Sequence, residues 1–212
     1  MADTERPTPE ARERIFAAAA HLFAERGYGS VSMREIAESA GVSKPMLYYY
    51  FDSKAGLCRA LLGNGLDRMI EATRAIISRT APVVEKLRDL VRTRFENVKE
   101  NPDVVRLCVN FLHGPDETGL VQDFHALMQY ALRVLVELIA EGQARGELRA
   151  DIDPTVAAHV LVGAMNVHIG HSIFFGGPAL DEHLADTIVN IFVNGVKAPQ
   201  TAAQNLRSLT ER

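Results

Sequence analysis

The sequence predicts an all-α protein of about nine helices. Three observations support this fold class: one segment after another has apolar residues at helical spacing, strand signals are missing, and proline or glycine marks the boundaries where hairpin turns would otherwise stand. Of the 212 residues, 47% are hydrophobic and 24% are charged. This composition is that of a soluble globular protein with enough apolar side chains for a sizeable core.

The first two helices have distinct start and stop signals. Thr8 is a capping residue that predicts a helix start, and this first helix is expected to end before Gly27. The second helix follows Ser32, whose hydroxyl can accept a free backbone N–H, while Glu35 completes a capping box three positions on. Gly41 supplies the left-handed conformation that ends the helix. Its predicted inward side chains are Met33, Ile36, Ala37 and Ala40.

The third helix is predicted to span residues 44–50. Ser43 caps its start, and Pro45 lies early in the helix, where its missing amide hydrogen costs nothing. The apolar side is expected to pack inward through Leu47, Tyr50 and Phe51. The side chains left facing outward are Lys44, Pro45, Met46, Tyr48 and Tyr49.

Two short capped helices joined by a glycine turn form a helix-turn-helix, an element that places its second helix in the major groove of DNA. Lys44 can donate to guanine or phosphate, and Pro45 and Met46 offer apolar contacts to thymine methyl groups. Tyrosine hydroxyls favour phosphate. A fourth helix opens at Ser53, so its free amides and the ammonium of Lys54 form a second phosphate anchor. Double-stranded DNA is therefore the predicted partner.

The motifs of this region resemble the DNA-binding domain of the tetracycline-repressor (TetR) family. The resemblance rests on the capping box, on Ala-Gly-Val-Ser-Lys at 40–44, on Leu-Tyr-Tyr-Tyr-Phe at 47–51 and on Ser-Lys at 53–54. It covers about the first quarter of the chain, from the amphipathic helix around Ile15 onward. It implies a transcriptional regulator of this family.

Carried over by position, the resemblance implies that residues 43–49, from Ser43 to Tyr49, read the bases. Arg34 is implied as a further base or phosphate contact. Pro45-Met46 stands where many relatives carry Gly-Thr, a departure that bears on the operator bases. The side chains implied to meet the DNA backbone are Tyr48, Tyr49, Tyr50 and Lys54. Against this interpretation, aromatic clusters on a helix usually belong to a core, and capped helix pairs also occur in proteins unrelated to DNA.

Charge adds little to the DNA-binding prediction. Residues 1–54 carry seven basic and eight acidic side chains, so this region lacks the basic excess usual in nucleic-acid binders. Between Ala40 and Phe51, however, there is one lysine and no acid. We expect operator binding that depends strongly on salt and weak non-specific binding.

The predicted domains are residues 1–54, which bind DNA, and residues 55–212, which form a larger helical domain for effector binding and dimerisation. The fourth helix is expected to reach about Thr80. Gly63-Asn64-Gly65 weakens its middle by about 1 kcal/mol per glycine, and these residues form either a hinge or a site of close packing or a kink. Further helices are predicted to begin at Pro82, at Pro102, at Asp116-Glu117, at Asp153-Pro154 and at Asp181.

The eighth and ninth helices have surplus apolar faces. Val156, Gly163, Gly170 and Gly177 lie seven residues apart and form a flat seam that another helix could approach closely, although glycine in a helix can equally serve internal packing. The ninth helix is apolar around Ile188 and Phe192. In the resembling family the last two helices of each subunit form a four-helix dimer interface. These residues are therefore the predicted homodimer interface, which would present two reading helices to a palindromic operator.

The resemblance further implies a pocket for a small amphipathic effector in the second domain. Its candidate lining is apolar with scattered polar groups, and each residue could instead simply fill a helical core. The candidates are Arg106, Asn110, Phe111, His113, Phe124, His125, Met128, Met165, Asn166 and His168.

Other functions have less support in the sequence. Cys58 and Cys108 form no ligand-like pair, and His168 and His171 have no neighbouring carboxylate or cysteine that completes a metal set. A phosphate-cradling glycine loop, a nucleophile elbow and paired carboxylates are not found, so we expect no cofactor, no metal and no enzyme activity. With a polar N-terminus and no apolar run of membrane-spanning length, the expected location is the cytoplasm and no membrane partner is expected.

The predicted function is a repressor that binds a palindromic operator as a homodimer and is released by a small amphipathic effector. Two alternatives remain at this stage. One is a DNA-binding protein without small-molecule control, and the other is a metal-dependent sensor.

Overall fold

The computed structural model describes residues 8–113 and 120–196. Within these ranges the chain forms nine α-helices and no β-strand, which confirms the all-α prediction. The helices are α1 Pro9–Arg26, α2 Met33–Ala40, α3 Lys44–Tyr50, α4 Lys54–Ile77, α5 Val83–Glu100, α6 Pro102–His113, α7 Leu120–Ala144, α8 Pro154–Phe175 and α9 Glu182–Val196.

The helix starts follow the capping signals of the sequence. The Thr8 side chain accepts a hydrogen bond from the amide of Ala11 at 3.3 Å, and Asp153 accepts from two amides in the first turn of α8. Pro occupies the first turn in both α1 and α8, as the sequence predicts. The predicted start of the seventh helix at residues 116–117 lies outside the described residues.

Helix α4 continues through its glycines without a break. A Cβ added to Gly63 would meet no atom within 4 Å, and one added to Gly65 would lie 3.5 Å from Cγ1 of Val104, an ordinary contact. Close packing therefore does not explain why position 63 is glycine. The hinge interpretation of this segment stays a prediction.

The chain divides into two compact units. Unit 1 contains residues 1–72 and 97–129, and unit 2 contains residues 73–96 and 130–212. The predicted division into 1–54 and 55–212 separates the DNA-binding part from the regulatory part by function, and it stays a prediction.

Unit 1 has an apolar core to which α1, α2, α3, the start of α4 and α6 contribute. The side chains at its centre come from different helices and are at most 1% exposed: Ile15, Phe23, Ile36, Leu47, Leu57 and Leu107. Each of these large side chains contributes about 1.5–3 kcal/mol of hydrophobic stabilisation when fully buried. The helix-turn-helix is therefore held on a well-packed base.

Unit 2 contains a buried lysine that joins three helix segments. Lys86 on α5 is 3% exposed, and its Nζ donates to the carbonyl of Ile77 at the end of α4 at 3.0 Å and to Glu141 of α7 at 3.4 Å. Further along α5, Arg92 donates two hydrogen bonds to Asp186 of α9, at 3.1 and 2.9 Å. These pairs link α7 and α9 to α5, and the forked Arg92–Asp186 pair adds geometric specificity to the contact with α9.

Candidate nucleic-acid interface

The start of α2 is fixed by a complete capping box. Oγ of Ser32 accepts the amide of Glu35 at 3.2 Å, and Oε2 of Glu35 accepts the backbone N–H and the hydroxyl of Ser32 at 2.8 and 2.7 Å. The other carboxylate oxygen accepts a hydrogen bond from the guanidinium of Arg26, the last residue of α1. These bonds, first from Ser32 and then from Arg26, lower the pKa of Glu35 to about 2. The first turn of α2 is therefore tied to the end of α1.

The turn between α2 and α3 has the predicted geometry. Gly41 is left-handed, with φ 63° and ψ 35°, and Val42 is buried between the helices. Oγ of Ser43 then accepts the amide of Met46 at 3.3 Å and caps α3. The helix-turn-helix prediction is confirmed.

The predicted outward position of Met46 is wrong. Its side chain is 5% exposed and belongs to the core of unit 1 together with Leu47. The inward stripe of α3 includes residues 46 and 50, which are one turn apart, beside residues 47 and 51. Met46 therefore supports the helix from inside and is not available to a thymine methyl group.

Lys44, Pro45, Tyr48 and Tyr49 form the exposed side of α3, which we call the α3 outer face. Tyr49 is 70% exposed and Tyr48 is 42% exposed. The Nζ of Lys44 lies 5.9 Å from the centre of the Tyr48 ring, within the range of a cation–π contact. Large exposed tyrosines beside a lysine give this face hydroxyl donors and a positive charge, which are the groups that bind phosphate and base edges.

A groove of about 520 Å³ opens beside the α3 outer face. Arg34 lies at its edge, where its Nε donates to Glu38 at 2.7 Å. The groove is lined by Gly29, Ser30, Val31, Ser32, Met33, Arg34, Lys44, Tyr48 and Lys54. The structure therefore brings three of the predicted DNA-binding basic side chains to one concave surface.

Two predicted DNA contacts are already hydrogen-bonded to the protein backbone. The hydroxyl of Tyr50 donates to the carbonyl of Thr8 at 2.8 Å. The Nζ of Lys54 donates to the carbonyls of Tyr28 and Val31 at 2.8 and 2.9 Å. Both side chains therefore hold parts of unit 1 together, and their contacts with DNA stay predictions.

The predicted effector-binding residues belong to both units. Arg106, Asn110, His125 and Met128 are in unit 1, and Met165, Asn166 and His168 are in unit 2. The side chains of Phe111, His113 and Phe124 lie outside the described ones. Asn110, His125 and Asn166 are exposed, whereas Arg106, Met128, Met165 and His168 are half-buried. The pocket stays a prediction.

Among the residues that the structure describes, no group of three or more His, Cys, Asp or Glu side chains is placed to hold a metal ion. Nδ1 of His159 lies 2.8 Å from the carbonyl of Thr155, one turn earlier in α8. The ring of His171 lies 5.5 Å from the ring of Phe175. Cys58 is buried, and this burial, with a smaller effect of Cys108, raises the pKa of its thiol to about 12.

The predicted interface residues of α8 and α9 differ in exposure. Val156 and Gly163 of α8 are exposed and Gly170 is half-buried. Gly177 lies beyond the end of α8, so its place in the predicted seam is wrong. Ile188 and Phe192 of α9 are buried inside the protomer, so their assignment to the interface is wrong. They lie at i and i+4 with Ala185 and Val189, and this stripe faces inward.

Sequence reasoning missed half of the exposed stripe on α8. Val160, Val167 and Phe174 are exposed between the seam residues, and Val167 is 63% exposed. The six positions 156, 160, 163, 167, 170 and 174 alternate in steps of four and three, the repeat of a coiled-coil seam. We call them the α8 stripe. The alternation of four and three residues can be read from the sequence, and it would have added the three missed residues to the predicted interface.

The α3 outer face, held by two capped helices on a packed core, defines a helix-turn-helix DNA-binding protein. The family described as "Bacterial regulatory proteins, tetR family" matches residues 15–61, and "Tetracyclin repressor-like, C-terminal domain" matches residues 77–192. The chain belongs to the tetracycline-repressor family. It is a DNA-binding transcriptional regulator with a helical ligand-binding C-terminal domain, as the sequence predicts.

Three relatives of this chain are regulators of the helix-turn-helix type. The transcriptional regulator YdgC of Bacillus subtilis is 26% identical, and the match covers 88% of this chain and 93% of YdgC. The repressor KstR2 of Mycolicibacterium smegmatis is 24% identical, with 93% of this chain and 96% of KstR2 covered. The activator FasR of the same organism is 36% identical, but the match covers 48% of this chain and only 46% of FasR.

Solved structures show the same fold. The fatty acid degradation regulator FadR from Bacillus halodurans has a TM-score of 0.77 at 21% identity, covering 92% of this chain and 100% of FadR. AibR, crystallised with isovaleryl coenzyme A and operator DNA, has a TM-score of 0.69 at 26% identity, covering 85% of this chain and 97% of AibR.

Proposed function

We propose that this protein is a repressor that binds a palindromic operator as a homodimer and is released by an acyl-CoA thioester. The observation that carries the DNA-binding part is the α3 outer face, where Tyr49 is 70% exposed on a helix whose other side is core. An exposed tyrosine on a helix that is fixed by a packed core is available to contact DNA through its hydroxyl. The proposal places the protein in the cytoplasm, where its operator is accessible.

In the proposed complex, α3 enters the major groove. Lys44 and Pro45 come first, because the N-terminal residues of a recognition helix contact base edges. Tyr48 and Tyr49 reach the phosphates flanking the groove, and Arg34 contacts the DNA from the start of α2. Since few basic side chains act here, most of the affinity comes from these positioned contacts.

The dimer is proposed to form through the α8 stripe. Its valines and Phe174 are exposed in the protomer, while the opposite side of α8 is buried through Ala157, Ala158, Leu161 and Ile169. A Cβ added to Gly163 would meet no atom within 4 Å of this protomer, so the glycine is not required by internal packing. The second α8 of a symmetric dimer would cover this stripe, and Gly163 would allow the two backbones to approach closely.

Helix α8 is also long and apolar enough, by length and composition alone, to cross a membrane, with 22% of its most apolar window buried. A helix that spans a bilayer alone is apolar on every side that faces lipid. Here one side packs against α9 in its own unit and the other carries a coiled-coil repeat. A partner helix therefore fits α8 better than lipid does.

The effector class is proposed from the relative AibR, which was crystallised with isovaleryl coenzyme A and operator DNA. An acyl-CoA thioester has an apolar acyl chain and a charged nucleotide. Such a ligand suits the predicted lining, where Met128 would contact the acyl chain and Arg106 and His125 would contact polar groups. A ligand that prefers the DNA-incompetent form lowers operator affinity by that preference alone, commonly about 1–3 kcal/mol.

A selection of bound fragments from random double-stranded DNA tests the proposal, repeated with isovaleryl-CoA and with free coenzyme A as the matched control. We expect a palindromic consensus, and release of that DNA by the thioester but not by free coenzyme A. A consensus that is not palindromic would contradict the dimer. Binding unaffected by acyl-CoA thioesters of short and long chain would contradict the effector class, and stronger binding in their presence would contradict repression relieved by effector.

A further inference from the structure

Lys54 is the first residue of α4, an unusual position for a cation. The N-terminus of a helix carries a partial positive charge from its free amides, which disfavours lysine there. The nearest opposite partial charges are backbone carbonyls of the segment that joins α1 to α2. The side chain reaches back more than twenty residues in sequence to contact them.

The ammonium of Lys54 has three hydrogen-bond donors, and three carbonyls surround it. Nζ lies 2.8 Å from the carbonyl of Tyr28, 2.9 Å from that of Val31 and 3.4 Å from that of Gly29. It also lies 4.4 Å from the centre of the Tyr28 ring, a close cation–π contact. Three carbonyls and one ring face together hold this half-buried ammonium in one place.

The carbonyls belong to the segment that fixes the start of α2. Val31 is 2% exposed and directly precedes Ser32, the cap of α2. Arg34 lies in the next turn, at the edge of the groove beside the α3 outer face. A change in the position of residues 28–31 would therefore move the cap, the first turn of α2 and one wall of the groove together.

We propose that Lys54 is a positioning residue for DNA binding: its ammonium holds residues 28–31 against the start of α4, and so sets the distance between the start of α2 and α3. This inference rests on the proposed operator binding. It assigns Lys54 a role different from that of a lysine that neutralises a phosphate, because the donors that would reach phosphate are directed at carbonyls. Lys44, which is exposed on the α3 outer face, serves as the matched control because it is the lysine proposed to contact DNA directly.

Two substitutions at Lys54 separate positioning from phosphate contact. Arginine keeps the charge and contacts phosphate well, but its planar fork does not reproduce the three-carbonyl geometry of an ammonium. We expect Lys54→Arg and Lys54→Met to weaken affinity for the selected operator by a similar factor, roughly tenfold. The slope of log affinity against log salt should be unchanged in both.

The matched changes at Lys44 should behave differently. Lys44→Arg should bind much as the parent does, and Lys44→Met should lower the salt slope by about 1 per protomer. Ile15→Val, in the core of the same unit, lowers stability without touching residues 28–31 and should leave affinity unchanged. The active fraction of each preparation is measured by titration with excess operator, so that the affinities are calculated for folded molecules only.

A measurement on the unmutated protein applies even where the Lys54 variants do not fold. An ammonium held by carbonyls exchanges its protons slowly, so the Lys54 ¹⁵N–¹H signal should be visible in the free protein and unchanged with operator, whereas that of Lys44 should sharpen only with DNA. The inference is overturned if Lys54→Arg binds as the parent while Lys54→Met lowers the salt slope, if neither variant weakens binding, or if the Lys54 signal couples to phosphorus in the complex. Failure of the parent to select any DNA would instead refute the proposed function.

Discussion

Removing the hydroxyl group from either of two adjacent tyrosines should affect two different properties. At Tyr50 the loss should lower stability, and at Tyr49 it should lower operator affinity. The hydroxyl of Tyr50 donates to the carbonyl of Thr8 at 2.8 Å, whereas Tyr49 is 70% exposed and its ring packs edge to face with the Tyr50 ring, with the ring centres 5.3 Å apart. Tyr49→Phe and Tyr50→Phe delete the same atom. They therefore test which of the two side chains contacts DNA.

The expected sizes follow from what each hydroxyl does. Loss of the Tyr50 hydrogen bond should cost about 1 kcal/mol of unfolding free energy, which lowers Tm by roughly 2–4 °C in a protein of this size. Loss of a Tyr49 contact to phosphate should cost about 1 kcal/mol per protomer. Two protomers on one operator make this about 2 kcal/mol, or roughly 30-fold in affinity.

Thermal unfolding and fluorescence anisotropy with the selected operator measure the two quantities. Tyr49→Phe should have the Tm of the parent and bind the operator less tightly. Tyr50→Phe should have a lower Tm and the operator affinity of the parent, when the affinity is calculated for the active fraction of the protein. Tyr49→Ala should weaken binding at least as much, with little loss of stability. If both Tyr49→Phe and Tyr49→Ala bind the operator as tightly as the parent does, Tyr49 does not contact DNA. If Tyr50→Phe binds the operator less tightly and its Tm is unchanged, the Tyr50 hydroxyl does not have the proposed structural role.

Three further predictions concern other parts of the chain. Gly163→Leu should shift sedimentation towards monomer with no loss of protomer helicity, and an unchanged dimer would place the interface elsewhere. Gly63→Ala should raise stability by about 1 kcal/mol, because the backbone is helical and the space is open, and should reduce release by effector if this segment is a hinge; full release in the variant would remove the hinge role. Because the pKa of Glu35 is lowered, its stabilising effect is fully present above pH 4.5 and is lost as the pH falls towards about 2. Acid titrations of the parent and Glu35→Gln should therefore differ above that window and converge below it, and parallel curves throughout would refute the capping role.

The helix ends could be predicted from the sequence because capping is local. Ser32 pairs with Glu35 three positions on, and the amide of Gly41 bonds to carbonyls at most four positions back, as the sequence predicts. Ser43 caps α3 by the same rule. Short-range chemistry of this kind is enough to predict the helix-turn-helix without knowledge of the tertiary packing.

The wrong predictions concern residues whose burial depends on tertiary packing, because packing decides which side of a helix faces inward. In the seven-residue α3, the width of the inward stripe depends on the helices beneath it, and Met46 falls inside that stripe. Helix α9 is apolar on more than one side, so only its neighbours decide that Ile188 and Phe192 turn inward while Ile191 is 71% exposed. The carbonyl partners of Lys54 lie far away in sequence, and spacing along the chain carries no signal for them.

The exposed stripe on α8 has a consequence for the response of the proposed repressor. A protomer whose α8 stripe is exposed is a monomer, and it carries only one reading helix for an operator with two half-sites. It gains the second reading helix only by forming the dimer, so the monomer binds the operator weakly. Below the dissociation constant of the dimer, operator occupancy would rise with the square of protomer concentration, whereas above it the rise would be linear. The number of copies per cell would then set how steeply the regulated genes respond, before any effector is present.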